Sequence, residues 1–180
     1  MSAASRRRLW AVSSALADAG AEPDLSDRTR RFARRDWPAV SLEDLQAAPD
    51  WVVESAERRA RLATLAGAAA CARAWRVNIE GSVLRRAAEA IGEPALDALL
   101  NTPASLTPAV ADVQAEAGDL RALQRLGGRA LMAEAAGRPG LARRLSALLP
   151  DAPSPLTDAA AGATLAQTAC ALAVQVEAAP

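Results

Sequence analysis

The feature that most constrains this chain is a run of small residues inside a helical segment. The run is Ala66-Gly67-Ala68-Ala69-Ala70-Cys71, and the apolar positions Leu62, Leu65 and Ala72 around it follow the spacing of a helix. Because the side chains at a helix contact set the distance between the axes, this run predicts that a neighbouring helix approaches closely. We therefore expect the fold to be organised around a core hairpin at residues 51–100.

Turn signals mark the ends of the helices in this hairpin. Asn78 to Gly81 follows the first helix and is predicted to be a hinge, where Gly81 lets the chain reverse. A second helix is expected from Ser82 to Ile91. Gly92 is predicted to end it as a left-handed residue, and Pro94 fits the first position of the next helix. Gly81 and Gly92 are thus predicted to be structural.

The composition predicts an all-α protein. The chain has 180 residues and is 51% apolar, but only 3% is aromatic and tyrosine is absent. Most of the apolar mass is alanine and leucine, which favour helices. No sustained alternation of apolar and polar residues indicates strands. We expect a compact, irregular multi-helix bundle.

A proline-containing stretch divides the predicted domain from a C-terminal helix. Residues 1–150 are assigned to one helical domain, 151–155 to a linker and 156–180 to a separate helix. The apolar stripe of this helix, Leu165, Ala169, Leu172 and Val176, is narrow. Isolated helices of this length are marginal in water, so we expect it either to dock on the domain or to stay loose until a partner binds.

Further boundaries follow from caps and prolines. A first helix is predicted from Ser5 to Ala19, and Ser41 with Asp44 resembles a capping box. Three more expectations concern longer helices. Asp50 is expected to cap a helix from Trp51 to Trp75, Thr107-Pro108 to begin a helix running towards Ala136, and Gly127-Gly128 to break or bend that helix.

The residue inventory argues against catalysis. Histidine is absent, which removes the commonest general base and a common metal ligand. The two cysteines, Cys71 and Cys170, form no C-x-x-C motif and are expected to be buried free thiols in a reducing compartment. We therefore expect a cytoplasmic protein that is no enzyme, holds no metal or cofactor, inserts into no membrane and is monomeric on its own.

Arginine supplies every basic residue, and the 21 basic residues are balanced by 21 acidic ones. Two clusters stand out, Arg6 to Arg8 and Arg28 to Arg35, each with aromatic residues nearby. Such clusters are typical of nucleic-acid surfaces, but interspersed carboxylates favour a solvated face, and we expect no nucleic-acid binding. The candidate contacts for a protein partner are Arg28, Arg30, Arg31, Arg34, Arg35 and Arg76.

The central hairpin resembles the SctK family of type III secretion systems, the sorting-platform component also called PscK, MxiK or OrgA. The resemblance rests on Leu65-Ala66-Gly67, Trp75-Arg76, Ile79-Glu80-Gly81, Leu84-Arg85, Ile91-Gly92 and Leu96 to Leu100. A second match covers Leu126-Gly127, Leu131, Leu141 to Leu145 and Leu148 to Pro150. Together these cover roughly residues 51–150, within which Trp75 and Leu84 are expected to be structural.

This resemblance implies a non-enzymatic, all-helical adaptor on the cytoplasmic side of the inner membrane. Its partners would be the SctD-like inner-membrane ring protein and the SctQ-like pod protein. Two other classes stay open: a nucleic-acid-binding or regulatory protein that uses the N-terminal arginines, and an unrelated helical chaperone or scaffold whose C-terminal helix pairs with a partner.

Overall fold

A computed structural model describes residues 2–19, 39–77, 81–110, 119–149 and 154–178 of the chain. These residues contain α-helices joined by short turns and no β-strand, which confirms the all-α class. The helices are α1 (Ala3–Asp18), α2 (Leu42–Ala47), α3 (Ala56–Val77), α4 (Gly81–Ile91), α5 (Glu93–Asn101), α6 (Leu120–Met132), α7 (Pro139–Leu148) and α8 (Ala159–Ala178). Three 3-10 turns lie at Asp50–Val53, Ala104–Leu106 and Ala133–Ala135.

Helix α3 is the centre of the bundle. Every residue from Leu62 to Ala72 is buried, so this stretch is enclosed on all sides. A helix that is apolar all round belongs in the interior of a fold. Helices α4, α5, α6 and α8 all contact α3, and α6 makes the most extensive contact. The hairpin predicted from the sequence is therefore the core around which the other helices are placed.

The crossing of α3 and α6 requires glycine on both helices. A Cβ atom on Gly67 would overlap the backbone of Leu123, and one on Gly127 would overlap the carbonyl oxygen of Ala63 and the amide nitrogen of Gly67. The two backbones thus touch directly, as the small-residue run predicted. The expected bend at Gly127-Gly128 is wrong, because α6 continues as α-helix through both residues.

Helix α8 belongs to the same core and is not a separate element. Leu165, Ala169 and Leu172 on α8 and Leu156 before it are buried in the cluster that contains α3 and α6. By length and composition α8 could cross a membrane (mean hydropathy 1.3), but 44% of its apolar stretch is buried in the bundle. Of the two outcomes expected for the C-terminal helix, the structure therefore shows docking on the helical domain.

Several predicted helix ends are present at the expected residues. Ser41 and Asp44 form the complete capping box, in which each side chain accepts from the backbone amide of the other residue. These bonds from Ser41, together with Arg138, lower the pKa of the Asp44 carboxyl group. Gly92 has the expected positive φ, +87°, although its ψ of 146° places it in an extended region open essentially to glycine alone.

Other predicted boundaries are wrong. Trp51 lies in the 3-10 turn at Asp50–Val53, and α3 begins only at Ala56. Residues 107–110 are not helical, and α6 begins at Leu120 after its N-cap Asp119. Pro94 occupies the second position of α5, not the first. The first two errors come from an acidic residue or a proline that fits a helix start but lies outside an α-helix here, whereas Pro94 is displaced by one position because Glu93 is already helical.

Replacing Gly127 with alanine is expected to destabilise the protein by about 1–3 kcal/mol, since the added methyl group would overlap rigid backbone in the core. Gly81→Ala is the matched control: Gly81 is the first residue of α4, its φ is not positive, and a Cβ there would meet nothing within 4 Å. We expect this control to change stability by less than about 1 kcal/mol. Urea denaturation measures both, and equal midpoints would contradict the described crossing.

Candidate interaction surfaces

Arginine side chains join the helices at their C-terminal ends. The last carbonyl groups of a helix lack partners within the helix and carry partial negative charge. Several of these ends in the described chain receive an arginine from another helix. Arg8 of α1 caps α2, Arg61 of α3 caps α4, Arg76 of α3 caps α5, and Arg144 of α7 caps α1. A planar guanidinium group with five donors suits this task better than a lysine ammonium group does.

Arg76 makes the most extensive of these contacts. Its Nε donates to the carbonyl oxygen of Leu100 (3.0 Å), and its Nη2 donates to those of Leu99 (2.6 Å) and Thr102 (2.5 Å). Its Nη1 donates to the hydroxyl oxygen of Thr107 at 3.3 Å. The half-buried guanidinium group is thus committed to the chain itself. The structure assigns Arg76 to fixing the end of α5, where the sequence had offered it as a partner contact.

The other predicted structural residues lie around the same core. Trp75 is 2% exposed, and Leu84 is half-buried against the core cluster. Trp51 is buried too, and its indole Nε1 donates to the carboxylate of Glu134 at 2.7 Å. Both tryptophans are therefore core residues. Gly81 lies at the edge of a described segment, and a Cβ atom there would meet nothing within 4 Å. The structure therefore shows no steric requirement for glycine at this position, where the sequence had predicted a structural role.

The main arginine cluster proposed from the sequence, Arg28 to Arg35, lies outside the described residues. Arg28, Arg30, Arg31, Arg34 and Arg35 therefore stay predictions as partner contacts. The first cluster is described, because Arg6, Arg7 and Arg8 all lie on α1. Arg8 is bound to the 3-10 turn beside it: its Nη2 contacts the Asp50 Oδ1 at 2.8 Å and the Ala48 carbonyl oxygen at 2.7 Å.

One candidate surface is the outer side of α1, which we call the α1 face. It consists of Arg6, Arg7 and Trp10, all exposed. Residues three and four apart are neighbours on a helix, so both arginines flank the indole of Trp10. The opposite side of α1 presents Val12 and Leu16 to the bundle. The α1 face is thus a basic and aromatic surface on a helix whose opposite side packs against the bundle.

A second candidate surface is a groove between α5, the 3-10 turn at Ala104–Leu106 and α8, which we call the α5–α8 groove. Its volume is about 380 Å³, and no charged residue lines it. The lining residues are Ala98, Asn101, Thr102, Pro103, Leu106, Thr168, Ala171, Leu172 and Gln175. Leu106 is 46% exposed, and Val174 on the adjoining surface of α8 is 63% exposed.

Two polar contacts fix the walls of this groove. The hydroxyl oxygen of Thr168 lies 2.8 Å from the carbonyl oxygen of Leu106 on the 3-10 turn and 2.9 Å from that of Thr164 within α8. Arg76 holds the carbonyl oxygen of Thr102 on the other side. The groove is therefore part of the folded bundle, and its lining is uncharged, with apolar side chains beside the polar groups of Asn101, Thr102, Thr168 and Gln175.

The described residues contain no group of three or more metal-ligating side chains. Both cysteines are free thiols. Cys71 is buried in α3, and burial raises its pKa to about 12, which makes it unreactive at neutral pH. Cys170 is exposed on α8, so the expectation that both thiols are buried is wrong for this one.

Comparison with protein-family models, with curated proteins and with solved structures found no match to this chain. The resemblance to the SctK family therefore rests on the quoted motifs alone. The two groups of motif residues do meet in space, because Gly67 of the first contacts Gly127 of the second at the crossing of α3 and α6.

Arg76→Met is expected to destabilise the protein by about 1–3 kcal/mol, because it leaves several carbonyl groups at the end of α5 without their charged donor. Arg73→Met is the matched control, since Arg73 is exposed on the same helix. Chemical denaturation should show a lower midpoint for the first variant only. Equal midpoints would show that the contacts of Arg76 contribute nothing to stability.

The carboxyl group of Glu134 is predicted to make stability depend on pH. Burial raises its pKa above the ordinary value of 4.5, the hydrogen bond from Trp51 lowers it, and the nearby charge of Asp50 raises it further; the net direction is upward. A raised pKa in the folded state means that stability is fully present below pH 4.5 and is lost as the pH rises through the raised value.

Glu134→Gln keeps an acceptor for the indole N–H of Trp51 but cannot titrate. We expect the stability of this variant relative to the wild type to increase between pH 4 and pH 7. The measurement is the difference in unfolding free energy between the variant and the wild type, taken at pH 4 and at pH 7. Because both proteins carry the same other carboxylates, the contributions of those groups cancel in this difference. A difference that does not change with pH would contradict the burial of this carboxylate.

Proposed function

We propose that this protein is a non-enzymatic cytosolic adaptor of a bacterial type III secretion sorting platform. In this role it joins the cytoplasmic domain of the SctD-like inner-membrane ring protein to the SctQ-like pod protein. The observation that carries the proposal is the presence of two exposed surfaces of different chemistry on different helices. The α1 face is basic and aromatic, whereas the α5–α8 groove is uncharged and is lined by apolar and neutral polar side chains.

An adaptor must bind two partners at once, and these surfaces share no residue. Helix α1 contacts the 3-10 turn at Asp50–Val53, α2 and α7. The groove is built from α5, α8 and the 3-10 turn between α5 and α6. Partners on the two surfaces would therefore contact different elements of a rigid helical core. In the sequence, the cluster Arg28 to Arg35 adds a further basic segment to the N-terminal part of the chain.

The family-like motifs support the proposal at the level of the fold. Gly67, Gly127, Trp75 and Arg76 all occur in the motifs and each has a packing or capping role in the bundle. Motif residues with these roles belong to the core of the bundle. The surfaces that bind partners can therefore differ between proteins that share the motifs. Adaptor function without cofactor or metal, a monomeric state and a cytoplasmic location are parts of the same proposal.

The alternative with a specific observation behind it is a nucleic-acid-binding or regulatory protein. The α1 face combines arginine with an aromatic side chain, as single-strand binding surfaces do. Such binding would weaken steeply with salt. A helical chaperone or scaffold is the other alternative, but α8, the helix that would pair with its partner, already uses its leucine side in the core.

The test is reconstitution with the purified cytoplasmic domain of the ring protein and the purified pod protein encoded by the same genome. We expect a ternary complex in size-exclusion chromatography. Reversing Arg30, Arg31, Arg34 and Arg35 to glutamate should abolish one of the two interactions and keep the other, because charge-assisted pairs with an acidic partner would be lost.

A second variant, also with four arginines replaced by glutamate, controls for the change in net charge. It replaces exposed arginines on other helices, namely Arg73, Arg85, Arg86 and Arg125. This control should keep both interactions. Failure of the wild-type chain to bind either partner would overturn the adaptor proposal, whereas sub-micromolar binding of DNA or RNA at physiological salt would favour the nucleic-acid alternative.

A further inference from the structure

We draw no further inference here: the strongest candidate, the α5–α8 groove between α5, the 3-10 turn at Ala104–Leu106 and α8, is already one of the two surfaces of the proposed function, and nothing in the structure shows what covers it.

Discussion

The direct contact between the backbones of α3 and α6 is the constraint on which the rest of the structure depends. Gly67 and Gly127 let the two helices cross with no side chain between them, and neither position has room for a methyl group. This crossing buries α3 so completely that its alanines become core residues. It also sets where α8 can lie, because α8 contacts both α3 and α6.

Alanine side chains are small and make few contacts between helices. In this bundle, hydrogen bonds from arginine side chains add further contacts between the helices. Arg8, Arg61, Arg76 and Arg144 reach from one helix to the carbonyl end of another. Each contact satisfies backbone groups that would otherwise lack partners and places positive charge at the negative end of a helix. These four arginines are engaged within the fold and are therefore poor candidates for partner contacts.

The surfaces that are left for partners depend on this same framework. Arg76 fixes the carbonyl group of Thr102 on one wall of the α5–α8 groove, and Arg8 fixes α1 behind Trp10. Both proposed binding surfaces are therefore positioned by arginines that do not belong to them. This is why a charge-reversal experiment on this protein has to separate exposed arginines such as Arg7 and Arg86 from those that hold helix ends.

The sequence by itself determined the local features: the helical class, the capping box at Ser41, the positive φ of Gly92 and the close approach at Gly67. Each follows from the intrinsic preferences of a few neighbouring residues. Only the tertiary structure decided which arginines cap helices, that Gly127 is a contact and not a bend, that α8 joins the core, and that Trp10 alone of the described tryptophans faces water. These outcomes depend on residues far apart in the chain, and in an alanine-rich sequence many helix faces look equally able to make them. The contacts between helices, and not the helices themselves, selected one arrangement.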